Sequence, residues 1–301
     1  MPITFSIARE LIEICHMSKL SLHLWGVHGI GKSALVRQFA EDRAIGFVDL
    51  RLAQLDATDL RGLPDRSPEG TTQFLPPEEL PRNGSGILFL DELNRSSAEV
   101  RAAIFQLVLD RRIGNYILPE GWTIVAAGNF YGDEYDTHDL DPAFRDRFLH
   151  AVLANGRSTF DEWSSYVGSQ YSGAFRGISF CASNLDHLET ACNAKLDFKV
   201  SPSRRSWEMV FRFEESFAKG RFSRESYMEG LAGLIGRDLA IAYSKYQISI
   251  SPNDLLDEGV AGYADLIMEL PRDQKWALAW GLARIFHEYL IRKHINDLLC
   301  N

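Results

Sequence analysis

The sequence predicts a layered α/β fold with a largely parallel five-stranded sheet, followed by an all-helical domain. Three observations carry this expectation. A glycine-rich loop, Gly26-Val27-His28-Gly29-Ile30-Gly31-Lys32-Ser33, lies between a strand-like and a helix-like segment. Up to about residue 153, apolar runs that suit strands buried on both faces alternate with amphipathic helical stretches. Beyond that point helical periodicity takes over. The expected domains are 1–153, a nucleotide-binding α/β core, and 154–301, a helical lid with a C-terminal helical extension.

The elements follow in chain order. Residues 3–17 place Ile3, Ile7, Leu11 and Ile14 near one face and predict a helix. Ser21–Trp25 alternates polar and apolar residues and predicts a strand, and Ala34–Ala40 after the loop predicts a helix. Ile45–Leu50 predicts the second strand. Asp56–Pro64 is turn-rich, and residues 65–86, dense in Pro and Gly, predict an irregular insertion or a hairpin. Ile87–Leu90 is a continuous apolar run ending at Asp91-Glu92. Ser96–Arg111 predicts a helix capped by Ser96 or Ser97, with Val100, Ile104, Leu107 and Val108 on its apolar face. Tyr116–Leu118, Pro119–Gly121 and Trp122–Val125 predict a strand, a turn and a strand continuing to Asn129. Phe148–Val152 is the fifth core strand. Helices are expected at Ser183–Leu196, Ser203–Ala218 and Arg224–Tyr246. A polar break at 248–258 and a last helical stretch, Arg272–Leu299, complete the chain.

The chemistry begins at the loop, which fits G-x-x-x-x-G-K-[ST] at every fixed position. Its glycines let backbone N–H groups turn around phosphate oxygens, and the following helix adds its dipole. Gly29, Ile30, Gly31, Lys32, Ser33 and Ala34 are the candidate nucleotide contacts. Lys32 would reach the β- and γ-phosphates of ATP, and Ser33 would place its hydroxyl on Mg²⁺. A strand ending in Asp91-Glu92 puts the first carboxylate beside the loop, where it would hold the Mg²⁺ through its water shell. Glu92 is then the candidate general base or orienter for the attacking water, although an acidic pair can equally cap a strand end. Asn129, a polar amide ending an apolar strand, could bind the γ-phosphate or position water, or simply begin a turn.

Two arginine clusters follow. In Asp139–Phe148, Arg145 and Arg147 flank Asp146 just before the last strand. A guanidinium there can reach a neighbouring subunit's γ-phosphate or join a surface ion network, and Arg147 is the preferred finger over Arg145. In Ser201–Trp207, Arg205 or Arg204 opens a helix, where it could fold over bound nucleotide or stay solvated.

Taken together, Gly26–Ser33, Ile87–Glu92, Asn129, Asp146–Phe148 and Pro202–Trp207 resemble the Walker A, Walker B, sensor 1, arginine finger and sensor 2 of an AAA+ ATPase. The resemblance narrows to the MoxR branch through Asp59–Pro64, Gly86–Arg95, the expected hairpin Tyr116–Asn129 and Ser203–Trp207, and it covers roughly residues 20–215. The usual Ser-Pro-Arg is here Ser203-Arg204-Arg205, which leaves the sensor 2 arginine open between two positions. The resemblance implies a three-layer α/β/α core of the P-loop NTPase type, a helical lid and a ring, commonly hexameric. It also implies a motor that hydrolyses ATP to remodel, activate or mature a partner, often a protein with a von Willebrand factor A domain. No such domain fits in this chain, so that partner would be a separate polypeptide.

Composition bounds the alternatives. With 46% hydrophobic and 24% charged residues, the 301-residue chain is globular. A net charge of −9 disfavours non-specific nucleic-acid binding and makes a nucleic-acid motor the lesser reading; an ATP-holding scaffold with little turnover is another. No apolar run reaches the roughly 20 residues of a membrane span. The four cysteines, Cys15, Cys181, Cys192 and Cys300, lack zinc-ligand or C-x-x-C spacing and fit reduced thiols in a cytoplasmic protein.

Overall fold

A computed structural model describes residues 1–130, 140–171, 173–189, 200–247, 264–270, 274–275, 278–279 and 282. The chain divides into two compact units, Met1–Thr159 and Phe160–Asn301.

The first unit is built on five parallel strands: β1 (Leu22–Trp25), β2 (Gly46–Arg51), β5 (Ser85–Asp91), β8 (Gly121–Gly128) and β9 (Leu149–Val152). Their order across the sheet is β2-β5-β8-β1-β9. The sheet is parallel throughout, and the reason is legible in β5 and β8. Ile87, Phe89, Val125 and Ala127 enter one hydrophobic core, whereas Leu88, Leu90, Ile124 and Ala126 enter another. Because successive side chains point to opposite faces, a continuous apolar run serves two cores at once. Helices α1 (Phe5–Ser18) and α2 (Lys32–Asp42) fill the first core with Ala8, Ile12, Cys15, Val36 and Phe39. Helix α4 (Ala98–Asp110) fills the second with Val100, Ile104, Leu107 and Val108. The result is the expected three-layer α/β/α core.

Local chemistry sets the helix ends. The Thr4 side chain accepts from Ile7 N at the start of α1, and Lys19 ends it with φ 60°. Of the two serines expected before α4, Ser97 is the cap, accepting from Val100 N, while Ser96 Oγ donates to the Leu93 carbonyl. The turn-rich stretch after β2 contains a short helix, α3 (Ala57–Arg61), with a capping box between Asp56 and Asp59. The Pro/Gly-dense insertion forms an antiparallel hairpin, β3 (Leu63–Arg66) with β4 (Thr72–Leu75).

One strand pairing differs from expectation. Residues 116–117 do not pair with 122–125. They form β7 (Tyr116–Ile117), antiparallel to β6 (Arg112–Ile113), and β8 instead pairs in parallel with β5 and β1. An eight-residue, almost wholly buried strand has more to gain in the centre of the sheet than in a two-stranded ribbon.

The second unit is described as helices α6 (Phe160–Gln170), α7 (Ala174–Ser183), α8 (Arg204–Ala218), α9 (Arg224–Ile235), α10 (Arg237–Lys245) and α11 (Ala264–Glu269). The expected helix Ser183–Leu196 is not present as such: α7 ends at Ser183, a 3-10 turn occupies Leu185–His187, and residues 190–196 lie outside the described residues. The expected helix Arg224–Tyr246 is two helices, broken at Gly236, whose φ of 87° a helix cannot contain. Ser203 opens α8 through a capping box with Ser206. A buried cluster of Phe160, Trp163, Ile178, Trp207, Phe211, Leu231 and Tyr243 forms this unit's own core. Cys15 and Cys181 are free and buried, and burial pushes both thiols above their ordinary pKa. Cys192, Cys300, the 248–258 break and most of the Arg272–Leu299 stretch lie outside the described residues.

Candidate active site

The site stands at the carboxyl ends of β1, β5 and β8, the edge at which open parallel sheets bind ligands. Strand β1 ends at Trp25, and the loop Gly26–Gly31 leads into α2 at Lys32. Gly29 and Gly31 have φ of 69° and 113°, so the loop takes a path that side chains with a Cβ resist. The cap of α2 is Gly31, so no side chain covers the helix start. Ile30 is buried, Gly31 and Ser33 are half-buried, and Ala34 is exposed.

Lys32 is only 8% exposed. Its Nζ donates to the carbonyls of Gly26 at 2.8 Å and Val27 at 3.0 Å, and to Asn129 Oδ1 at 2.9 Å. Ser33 Oγ donates to Asp91 Oδ2 at 3.0 Å. Lys32, Ser33, Asp91 and Asn129 are therefore brought together from the start of α2 and the ends of β5 and β8. The Ser33 hydroxyl and the Asp91 carboxylate are hard oxygen donors within one hydrogen bond of each other, a pair that suits Mg²⁺. Among the described residues there is no group of three or more His, Cys, Asp or Glu that could hold a metal alone.

Glu92 leaves the sheet sharply. Its φ of 56° and ψ of 36° turn the chain into a 3-10 turn at Leu93–Arg95. Glu92 N donates to Asp91 Oδ1 at 2.9 Å, and the Glu92 carboxylate pairs with Arg95 at 3.0 Å. With side chains 34% and 40% exposed, this pair contributes little and is easily opened.

Three neighbouring groups went unread in the sequence. Asn94, 1% exposed, donates from Nδ2 to the Asn129 carbonyl at 2.7 Å. Its only outward sign is a polar residue three positions after Asp91. Asn94→Ala leaves that carbonyl without its donor and is expected to lower kcat about tenfold with KM for ATP nearly unchanged, as steady-state kinetics will show. His23 lies fully buried on β1, stacked on Trp25 at 4.0 Å. Burial first, then His150 and Lys32, hold its pKa well below 6.5, so it is neutral at physiological pH. A Cβ on Gly128 would stand 2.9 Å from both His23 Nε2 and Asn94 Oδ1, which is why this strand ends in glycine. Asp49 on β2 is the third; burial and then the charge of Asp91 raise its pKa.

The arginines divide. Arg145 ends α5 (Pro142–Arg145), and Arg147 follows in the next turn; both are exposed. Asp141 caps α5 by accepting from Ala143 N at 2.7 Å, and Asp139 lies outside the described residues. In the second unit, Arg204 is 1% exposed and pairs with Glu189 at 3.0 Å, whereas Arg205 is exposed on the same helix.

Residues 21–148 match the family model of the AAA domain (dynein-related subfamily). No curated protein matches the chain. Solved structures similar to it include an ATPase, described as putative, from Cytophaga hutchinsonii, at 15% identity and a TM-score of 0.40, covering 85% of this chain and 88% of that one. NtrX from Brucella abortus in complex with ADP is similar at 14% identity and a TM-score of 0.46, covering 89% and 58%. A RuvB mutant from Thermogota maritima is similar at 17% identity and a TM-score of 0.41, covering 85% and 71%. The unit that holds the site has the P-loop AAA fold, and its residues 21–148 are similar to the AAA domain.

Proposed function

We propose that this protein is a Mg²⁺-dependent ATP hydrolase of the MoxR type. In this reading it works in the cytoplasm as a ring, a hexamer in the expected case. It remodels, activates or matures a separate protein, with a von Willebrand factor A domain protein as the expected client. The observation that carries the hydrolase reading is the convergence of Lys32 on Asn129 and of Ser33 on Asp91, at 2.9 and 3.0 Å. The MoxR assignment is supported by Asp59–Pro64 and Gly86–Arg95. The acidic net charge of −9 favours a protein client over nucleic acid. Among the described residues no helix is long and apolar enough to cross a membrane.

Each residue then has a task. The Gly29–Ala34 backbone binds the phosphates, and Lys32 neutralises charge on the β- and γ-phosphates. Ser33 and Asp91 would hold Mg²⁺, which would supply offsetting charge to the phosphates. Glu92, released from Arg95, takes the proton of the attacking water on a carboxylate oxygen. Asn129 orients that water or the γ-phosphate. Arg147 acts as a finger in the neighbouring subunit's site, and Arg205, the exposed one of its pair, serves as the lid's nucleotide contact.

Phosphate release by the purified chain with Mg²⁺ and ATP tests the reading, and EDTA should abolish it. Stimulation by single- or double-stranded DNA at moderate salt would instead favour a nucleic-acid motor. Binding without turnover would leave an ATP-holding scaffold.

A further inference from the structure

Two hydrogen bonds join the end of β1, the strand that feeds the phosphate-binding loop, to the arginine-bearing turn within one subunit. Trp25, the last residue of β1 and the one before Gly26, donates from Nε1 to His150 Nδ1 at 2.9 Å. His150 Nε2 lies 2.8 Å from the Arg145 carbonyl. The direction of this chain is forced. Indole N–H can only donate, so His150 Nδ1 must be the acceptor, and the proton of a neutral ring must sit on Nε2. Nε2–H then donates to the Arg145 carbonyl. Strand register brings the two side chains together: His23 pairs with His150 and Trp25 with Val152, which leaves Trp25 and His150 as diagonal neighbours on one face. Their rings are stacked at 6.0 Å and 27°.

The carbonyl that His150 holds is also the one that closes the turn. Phe148 N donates to it at 3.1 Å, and Arg147 N donates to the Phe144 carbonyl at 3.2 Å. Helix α5 has only four residues; buried Phe144 and Phe148 anchor the chain on either side of the turn, and the His150 bond adds a side-chain hold on the carbonyl between them. We infer that Trp25 and His150 are positioning residues that set the Arg147 turn from the strand that feeds the phosphate-binding loop. A subunit's own loop thereby governs the finger it presents to its neighbour. This rests on the reading of Arg147 as a finger acting in trans.

The test uses the full-length protein. Trp25→Phe removes the donor and keeps a ring; His150→Ala, at an exposed position, removes both bonds with little risk to folding. Each is expected to lower turnover about tenfold while ATP affinity stays within about twofold. Each is then mixed with Glu92→Ala subunits, which lack the base but carry intact Arg147 turns. Recovery of turnover in the mixture is expected, because the sites of the Trp25→Phe subunits are themselves complete. Arg147→Ala mixed with Glu92→Ala runs in parallel. If that pair recovers and the Trp25 and His150 pairs do not, the defect lies in the subunit's own loop and the inference is overturned alone. If no pair recovers, the trans finger falls and the inference with it. Parental turnover in Trp25→Phe and His150→Ala also overturns it.

Discussion

Replacing Glu92 with glutamine is expected to lower ATP turnover by about a hundredfold or more while the protein still binds ATP. Glutamine keeps the length and the carbonyl acceptor of the side chain but cannot take a proton from water, and a positioned base contributes about 10²–10⁴ in rate. Affinity should persist because the phosphate contacts assigned to Gly29–Ala34, Lys32, Ser33 and Asp91 are untouched. Stability should persist too. The Glu92–Arg95 pair, with side chains 34% and 40% exposed, is of the kind that contributes at most about 1 kcal/mol. Single-turnover phosphate release measured beside equilibrium binding of a fluorescent ATP analogue separates the two effects. Parental turnover would remove Glu92 from the mechanism. The same variant is the natural bait for a client, since a motor stalled with ATP should retain what it acts on.

Lys32→Met is expected to cost nucleotide affinity itself. The ammonium of this 8% exposed residue is held by three oxygens, from Gly26, Val27 and Asn129. Methionine preserves the stem's volume but supplies neither charge nor donors. Charge-assisted hydrogen bonds contribute about 1.5–3 kcal/mol each, so loss of one phosphate contact weakens ATP binding by about 10- to 100-fold. The three oxygens also lose their donor, so the midpoint of thermal unfolding should fall without nucleotide. Binding raises that midpoint by mass action, so comparing Tm with and without ATP distinguishes the effects. A variant that unfolds at a lower temperature yet gains as much from ATP as the parent would show that Lys32 is structural only.

The sheet and the loop were legible because their causes are local. Ile87–Leu90 is apolar at every position, which suits a strand whose two faces both meet core. Glycines at 29 and 31 answer a need for positive φ that few other residues meet. Helices α6 and α7 are not legible in the sequence because Phe160–Gln170 and Ala174–Ser183 mix Ser and Gly among their apolar residues, which weakens propensity. Packing of Phe160, Trp163 and Ile178 into the second core supplies what propensity lacks. The misplaced hairpin has the same origin. The Pro119–Gly121 turn signal is sound, but the strand after it belongs to the central sheet, a preference set by partners distant in the chain.

The amino-acid sequence by itself determined the kind of fold and the identity of the phosphate-binding loop, because strand burial, turn glycines and helix caps act over a few residues. The Asp91-Glu92 strand end was equally plain, since a buried strand that stops at two carboxylates must present them at the sheet edge. Only the tertiary structure decided how those parts meet. Lys32 reaches Asn129 across 97 residues, and Trp25 reaches His150 across 125. Such bonds depend on strand order and register to within one hydrogen-bond length, and no local propensity encodes them. The same holds for Asn94, which is an unremarked amide in the chain and the holder of the Asn129 carbonyl in the fold.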